Sequence, residues 1–106
     1  MSDPLIEKFQ REALPIIKKE FKPNRIILFG SRVRGDARED SDIDVILISS
    51  YFKNIRSINR MSLVLKKIHF KKHVDYLCYT NEEFMKIKDE SGIIQSALKN
   101  SIEIEI

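Results

Sequence analysis

The stretch IDVILIS, residues 43–49, limits the possible folds more than any other part of the sequence. In an extended chain its apolar side chains fall on both faces, with Ile43, Val45 and Leu47 on one and Ile46 and Ile48 on the other. A strand that is apolar on both faces has to be covered on both faces. The stretch therefore predicts a central strand in a layered sheet.

The first half of the chain predicts helical and extended segments around that strand. Apolar residues recur at helical spacing from Pro4 to Phe21, and Pro15 should kink or divide this helix. The segment RIILF, residues 25–29, has a turn signal before it and glycine after it, as expected for a short strand. A charged loop containing glycine then leads to the central strand.

The second half continues the alternation of helices and strands. We expect a helix over 54–68, a strand over 73–80 and a helix that starts at a capping box of Thr80 and Glu83. That helix should break near Gly92, and the alternating tail over 101–106 predicts a last strand. The order of elements indicates an α/β (α+β) sheet domain with helices packed on it.

Length and composition limit the class of protein. The chain has 106 residues, which predicts a single domain over 1–106 without a second lobe for a large substrate. Hydrophobic residues make up 42%, and no apolar run is long enough to span a membrane. The lone Cys78 and the absence of a secretory signal predict a cytoplasmic protein, with Cys78 in the core.

Three familiar motifs do not fit the charged loop between the first two strands. A P-loop needs lysine and then serine or threonine after its second glycine, but Asp36 and Ala37 follow Gly35. A calcium loop would need glycine where Val45 stands and glutamate where Tyr51 stands. A dinucleotide fingerprint needs three glycines, and this loop has two.

Paired carboxylates beside a glycine turn indicate another chemistry. Asp42 and Asp44 are two residues apart, so on a strand their side chains share a face and can bind divalent cations together. Gly30 and Ser31 stand where a strand ends, which leaves peptide N–H groups and a hydroxyl for phosphate oxygens. Asp75 adds a third carboxylate in the next strand. Together these residues predict a two-metal site that acts on a nucleoside triphosphate.

The spacing of Gly30-Ser31, ten further residues and Asp42-Ile43-Asp44 resembles the signature of the DNA polymerase β-like nucleotidyltransferase superfamily, in particular its minimal (MNT-type) members. The resemblance implies a palm core with a mixed β-sheet. It also implies that Asp42, Asp44 and Asp75 are catalytic and bind two Mg²⁺ ions. Gly30, Ser31 and Arg34 would bind the nucleotide, and AMP would pass from ATP to an acceptor hydroxyl.

The same resemblance implies a partner. Minimal members often act as antitoxins beside a helical HEPN toxin and modify a tyrosine of that toxin, which predicts a hetero-oligomer. Two alternatives stay open: a non-catalytic antitoxin that only binds its toxin, and nucleotide transfer to RNA.

Two surface features bear on these choices. A basic stripe of Lys53, Arg56, Arg60, Lys67 and Lys71 would favour RNA. Isoleucines 102, 104 and 106 would pair with the protein's own sheet, a second copy or the partner. A metal shared by His69 and His73 is not expected, because His73 lies at a strand start.

Overall fold

A four-stranded mixed sheet organises the chain in the computed structural model, which describes residues 3–106. The strands are β1 (Arg25–Phe29), β2 (Ile43–Ile48), β3 (Val74–Tyr79) and β4 (Ile102–Ile104), in the spatial order β3-β2-β1-β4. β1 pairs antiparallel with β2 and β4, whereas β2 and β3 are parallel. The mixed sheet and the interior place of residues 43–48 confirm the sequence prediction.

Six α-helices and one 3₁₀ turn connect or flank the strands. They are α1 (Pro4–Glu12), α2 (Leu14–Phe21), α3 (Ser31–Arg34), the 3₁₀ turn (Ser50–Phe52), α4 (Ser57–Lys67), α5 (Asn81–Glu90) and α6 (Gly92–Lys99). None of the helices within residues 3–106 combines the length and the apolar character that crossing a membrane demands.

Local rules set several of these boundaries. Asp3 caps α1 by accepting a hydrogen bond from the Leu5 amide at 2.8 Å. Pro15 cannot donate a helical hydrogen bond, and the helix divides at Ala13, as predicted. The predicted capping box of Thr80 and Glu83 is present, and the break between α5 and α6 falls at Ser91, beside Gly92.

The two faces of the sheet carry different apolar clusters. Ile43, Val45 and Leu47 belong to the larger cluster, which also includes residues of α1, α2 and α4. Ile46 and Ile48 belong to a smaller cluster with Phe84 of α5 and Ile94 of α6. Because side chains alternate along a strand, Asp44 lies on the same face as Ile46. Asp44 therefore lies on the α5–α6 face, near the start of β2.

The C-terminal strand closes the other edge of the sheet. β4 pairs with β1, with Ile104 opposite Ile26 and Ile102 opposite Leu28. Arg25 and Glu103 add a two-pronged ion pair, the shorter contact being 2.7 Å. The tail thus pairs with the protein's own sheet, which is one of the three outcomes that the sequence allows.

Helix α4 departs from the prediction in its start and in its buried face. It begins at Ser57, and Ile58 and Met61 of the predicted apolar face are 76% and 38% exposed. Arg60 is instead only 4% exposed. It donates hydrogen bonds to the carbonyls of Ile55, Phe52 and Cys78 and to the Glu83 carboxylate; the Glu83 contact is 2.6 Å.

The predicted basic stripe is therefore wrong in two respects. Arg60 is buried and makes its contacts inside the protein, where its guanidinium also lies 5.8 Å from the ring centroid of Phe52. The helix ends at Lys67, so it does not carry Lys71 onto the same face. Spacing alone could not reveal that a cation has internal partners.

Cys78 is a core residue, as predicted. Its side chain belongs to the larger apolar cluster, and burial raises its pKa to about 12. The thiol is therefore neutral at physiological pH, which is unsuitable for a nucleophile.

Replacing Arg60 with alanine should destabilise the fold strongly. The change leaves three carbonyl groups without this donor and removes the partner of Glu83. We expect the free energy of unfolding to fall by about 2–4 kcal/mol, because buried carbonyl groups lose a charged donor, whereas the Glu83 carboxylate is 45% exposed and stays solvated. Urea unfolding followed by circular dichroism measures this loss.

Arg56→Ala is the matched control, because Arg56 is exposed immediately before the same helix. That variant should stay within about 0.5 kcal/mol of the parent protein. Similar losses in the two variants would contradict a structural role for Arg60.

Candidate active site

The turn between β1 and α3 brings the main chain against a carboxylate. Gly30 follows β1 with a φ of 86°, a conformation that side chains disfavour, and Ser31 begins α3. A Cβ atom on Gly30 would lie 2.0 Å from Oδ2 of Asp44. Glycine is therefore required twice here, by the backbone conformation and by the close approach of Asp44. The strand-to-helix turn predicted at Gly30-Ser31 is confirmed.

Strand pairing brings the predicted acidic residues to one end of the sheet. Asp44 lies opposite Phe29 on β1 and opposite Asp75 on the parallel strand β3. Asp42 immediately precedes β2. Asp75 is near the start of β3, an edge strand of the sheet, and its side chain is 45% exposed. This position explains how β3 accommodates a carboxylate.

The side chain of His73 lies close to two of these carboxylates. One ligand atom from each of Asp42, His73 and Asp75 lies within 4.8 Å of the others, and Nε2 of His73 is 3.0 Å from Oδ1 of Asp75. The sequence prediction missed this arrangement because it considered His73 only with His69. The available signal was the spacing of His73 and Asp75, since residues two apart on an extended chain share a face.

The electrostatics of Asp44 reflect this crowding. Its pKa is raised, mainly by burial and then by the negative charges of Asp75 and Asp42, while Arg34 opposes the shift. Carboxylate oxygens and a neighbouring imidazole are suitable donors for a divalent cation, which would relieve the repulsion. The grouped ligand atoms of Asp42, His73 and Asp75 therefore fit a divalent cation. Asp44 lies beside this group rather than in it, and the predicted ligands stay Asp42, Asp44 and Asp75.

A cleft of about 520 Å³ extends from Asp44 along the glycine turn. Gly30, Ser31 and Arg34 line it together with Asp44, so the predicted nucleotide-binding residues share one space. Arg34 is 47% exposed, and within residues 3–106 its one ion pair is a 3.5 Å contact with Asp36. Its guanidinium is therefore available to an anion in the cleft.

The neighbouring Arg32 has a structural role. Its side chain is 10% exposed and pairs with Asp3 at 3.1 Å. It also donates to the carbonyls of Ser41, at 2.8 Å, and Glu39, at 2.9 Å. These hydrogen bonds hold the charged loop against α3 at the residues that immediately precede Asp42.

Comparison with known families agrees with this geometry. Residues 10–104 match the nucleotidyltransferase domain family. The chain belongs to this family. The match includes the glycine turn and all three aspartates, and it confirms the minimal nucleotidyltransferase predicted from the sequence.

Two curated relatives have informative names. A candidate protein adenylyltransferase of Methanocaldococcus jannaschii, MJ0141, is 30% identical over 67 residues, which are 63% of this chain and 66% of that protein. The protein adenylyltransferase MntA of Thermococcus cleftensis is 31% identical over 87 residues, or 81% of this chain and 79% of that protein.

Solved structures share the fold. A candidate nucleotidyltransferase from Sulfolobus solfataricus, 25% identical, superposes with a TM-score of 0.62 and covers 93% of this chain and 80% of its own. A second candidate nucleotidyltransferase, 24% identical, has a TM-score of 0.56 over 94% of this chain and 97% of its own. The nucleotidyltransferase palm predicted for this domain is thereby confirmed.

Alanine at Gly30 should disable the site. Gly30 and Gly35 both have a positive φ. A Cβ atom added at Gly30 would meet Asp44, whereas a Cβ atom added at Gly35 would have no other atom within 4 Å. We expect Gly30→Ala to weaken binding of a nucleoside triphosphate by about tenfold or more, because Asp44 must move. Equilibrium binding with a labelled nucleotide measures the effect.

Gly35→Ala provides the control for backbone strain alone. It should cost about 1–2 kcal/mol of stability through the left-handed conformation and leave nucleotide binding nearly unchanged. Equal loss of binding in both variants would show that strain, rather than the approach of Asp44, is responsible.

Asp44→Asn should stabilise the metal-free protein at neutral pH. A raised carboxyl pKa means that the charged form weakens the native state, and asparagine removes that charge. The advantage should disappear as the pH falls below about 4, the ordinary aspartate value, because Asp44 is then neutral in both states. Urea unfolding at several pH values in a chelator tests this; a variant less stable than its parent at pH 7 would contradict it.

Proposed function

We propose that this nucleotidyltransferase transfers AMP from ATP to a hydroxyl group of a partner protein in a Mg²⁺-dependent reaction. The observation that carries the proposal is the contact between the glycine turn and Asp44, with Asp75 in register beside it. This contact places the turn predicted to bind phosphate beside the carboxylates. The names of the two adenylyltransferase relatives support AMP as the transferred group.

Each residue has a distinct task in this proposal. Ser31 and the peptide N–H groups at the start of α3 would hold the triphosphate, and Arg34 would balance its negative charge. Asp42, Asp44 and Asp75 would hold Mg²⁺, which when bound lowers the pKa of the acceptor hydroxyl and balances charge on the leaving group. The acceptor hydroxyl gives its proton to solvent water, its oxygen forms a bond to the α-phosphorus, the bond from that phosphorus to the bridging oxygen breaks, and pyrophosphate leaves.

The open side of the site suggests that a second protein supplies the acceptor. Asp42 and Asp75 are only partly buried and His73 is exposed, so a side chain from another molecule can reach them. By the family resemblance, we propose a tyrosine of a HEPN-type toxin as that acceptor. AMP transfer would then neutralise the toxin, and this protein would act as its antitoxin.

RNA is a weaker candidate acceptor. Arg60 of the predicted basic stripe is buried, and Lys71 lies beyond the end of α4. A continuous cationic surface therefore does not form on that helix. A purely toxin-binding antitoxin, in contrast, requires no carboxylate cluster, and substitution of the aspartates separates it from an enzyme.

The decisive experiment follows ATP labelled at the α-phosphate. The purified protein is incubated with Mg²⁺ and a lysate of its source cell, beside the double variant Asp42→Asn and Asp44→Asn. We expect label in a protein band with the parent chain and a decrease of at least about a thousandfold with the variant, because the predicted metal ligands are lost. Mass spectrometry of the labelled band identifies the acceptor and tests the toxin proposal.

Other outcomes have definite meanings. Label in the RNA fraction would replace a protein acceptor with RNA. Toxin neutralisation that survives in the double variant, without label in either fraction, would indicate an antitoxin that acts by binding alone.

A further inference from the structure

One wall of the active-site cleft is built by α6, and nothing in the predicted site uses it. Four residues of this helix and the residue that follows it line the cleft opposite the glycine turn: Gly92, Ile93, Ser96, Ala97 and, at the C-cap, Asn100. The spacing of the four helical residues, one, three and one, is that of a single helical face. The opposite face places Ile94 and Leu98 in the apolar cluster on the sheet, so the helix is anchored there.

The two walls of the cleft differ in charge. Arg34 and Asp44, on the side of the glycine turn, are the only charged residues that line it within residues 3–106. The α6 wall contributes apolar groups, a hydroxyl and an amide. Phosphates would therefore be held on the first wall, whereas the second suits an uncharged, flat and partly polar group.

Ile93 gives the α6 wall its apolar character. It is 77% exposed, the highest value among the large exposed apolar side chains of residues 3–106. A single exposed isoleucine is ordinary on a protein surface. Ile93, however, stands in a cleft of about 520 Å³, a volume typical of small-molecule sites, and a bound ring system would cover it.

We propose that this wall binds the nucleobase of the nucleoside triphosphate, with Ile93 and Ala97 against the ring and Asn100 hydrogen-bonded to its edge. The inference rests on the proposed function and names the part of the site that selects the substrate. Asn100 would also distinguish adenine from guanine. We place this contact on the edge that carries N7, where an asparagine amide, with one donor and one acceptor side, matches N7 and the N6 amino group of adenine, whereas guanine offers two acceptors, N7 and O6. The wall therefore prefers adenine to guanine.

Binding measurements with matched ligands test this assignment. Isothermal titration with Mg²⁺ compares the α,β-methylene analogues of ATP and GTP, which cannot release pyrophosphate, with inorganic tripolyphosphate. We expect the parent protein to bind the ATP analogue about tenfold more tightly than the GTP analogue. Asn100→Ala should remove most of this difference. Ile93→Ala should weaken both nucleotides about fivefold.

Neither variant should change tripolyphosphate binding, because the phosphates lie on the other wall. Two matched controls on α4 report general effects of the same substitutions: Ile58→Ala at a 76% exposed position, and Asn59→Ala at an exposed position. Both controls should bind all three ligands as the parent does.

The outcomes separate this inference from the proposed function. A parent protein that binds the two nucleotides equally, or variants that lose tripolyphosphate as strongly as nucleotide, would overturn the base assignment alone. A parent protein that binds neither nucleotide in the presence of Mg²⁺ would overturn the proposed function and the base assignment together.

Discussion

The pairing of β2 with its two neighbours determines where every functional group lies. Parallel pairing with β3 sets Asp44 beside Asp75, and antiparallel pairing with β1 sets Asp44 opposite Phe29, so that Gly30 passes directly over the carboxylate. A shift of one residue would turn Asp44 into the larger apolar cluster and Val45 into the cleft. Burial of residues 43–48 on both faces therefore fixes the site as well as the core.

The helices divide the sheet into a covered part and an open part. Helices α5 and α6 cover Ile46 and Ile48, and the acids lie just beyond the cluster that these helices form with the sheet. Burial, and then the repulsion between the carboxylates gathered there, raises the pKa of Asp44. The fold tolerates this cost because the surrounding strands hold the aspartates in place. A bound cation would relieve the same repulsion.

Local rules were sufficient for most of the fold, but residues with distant partners were not predictable. The effect of Pro15, the Thr80–Glu83 capping box and the turn after β1 each depend on a few adjacent residues, and each was predicted correctly. Arg60 was misplaced because its partners come from the preceding loop, β3 and α5. His73 was missed although its spacing from Asp75 puts both side chains on one face; its approach to Asp42 depends on strand register. The place of α6 beside the cleft depends on helix packing, which the sequence pattern does not specify.

The strand order has a consequence for synthesis of the protein on the ribosome. β1 is completed at Phe29, yet its second neighbour, β4, begins at Ile102. Until residues 102–104 emerge, the peptide groups along one side of a strand with buried Ile26, Ile27 and Leu28 have no pairing partner in this sheet. Such an edge can join to another nascent chain. The growing chain therefore carries an unpaired apolar edge through most of its synthesis, and the three residues of β4 end that exposure when they pair.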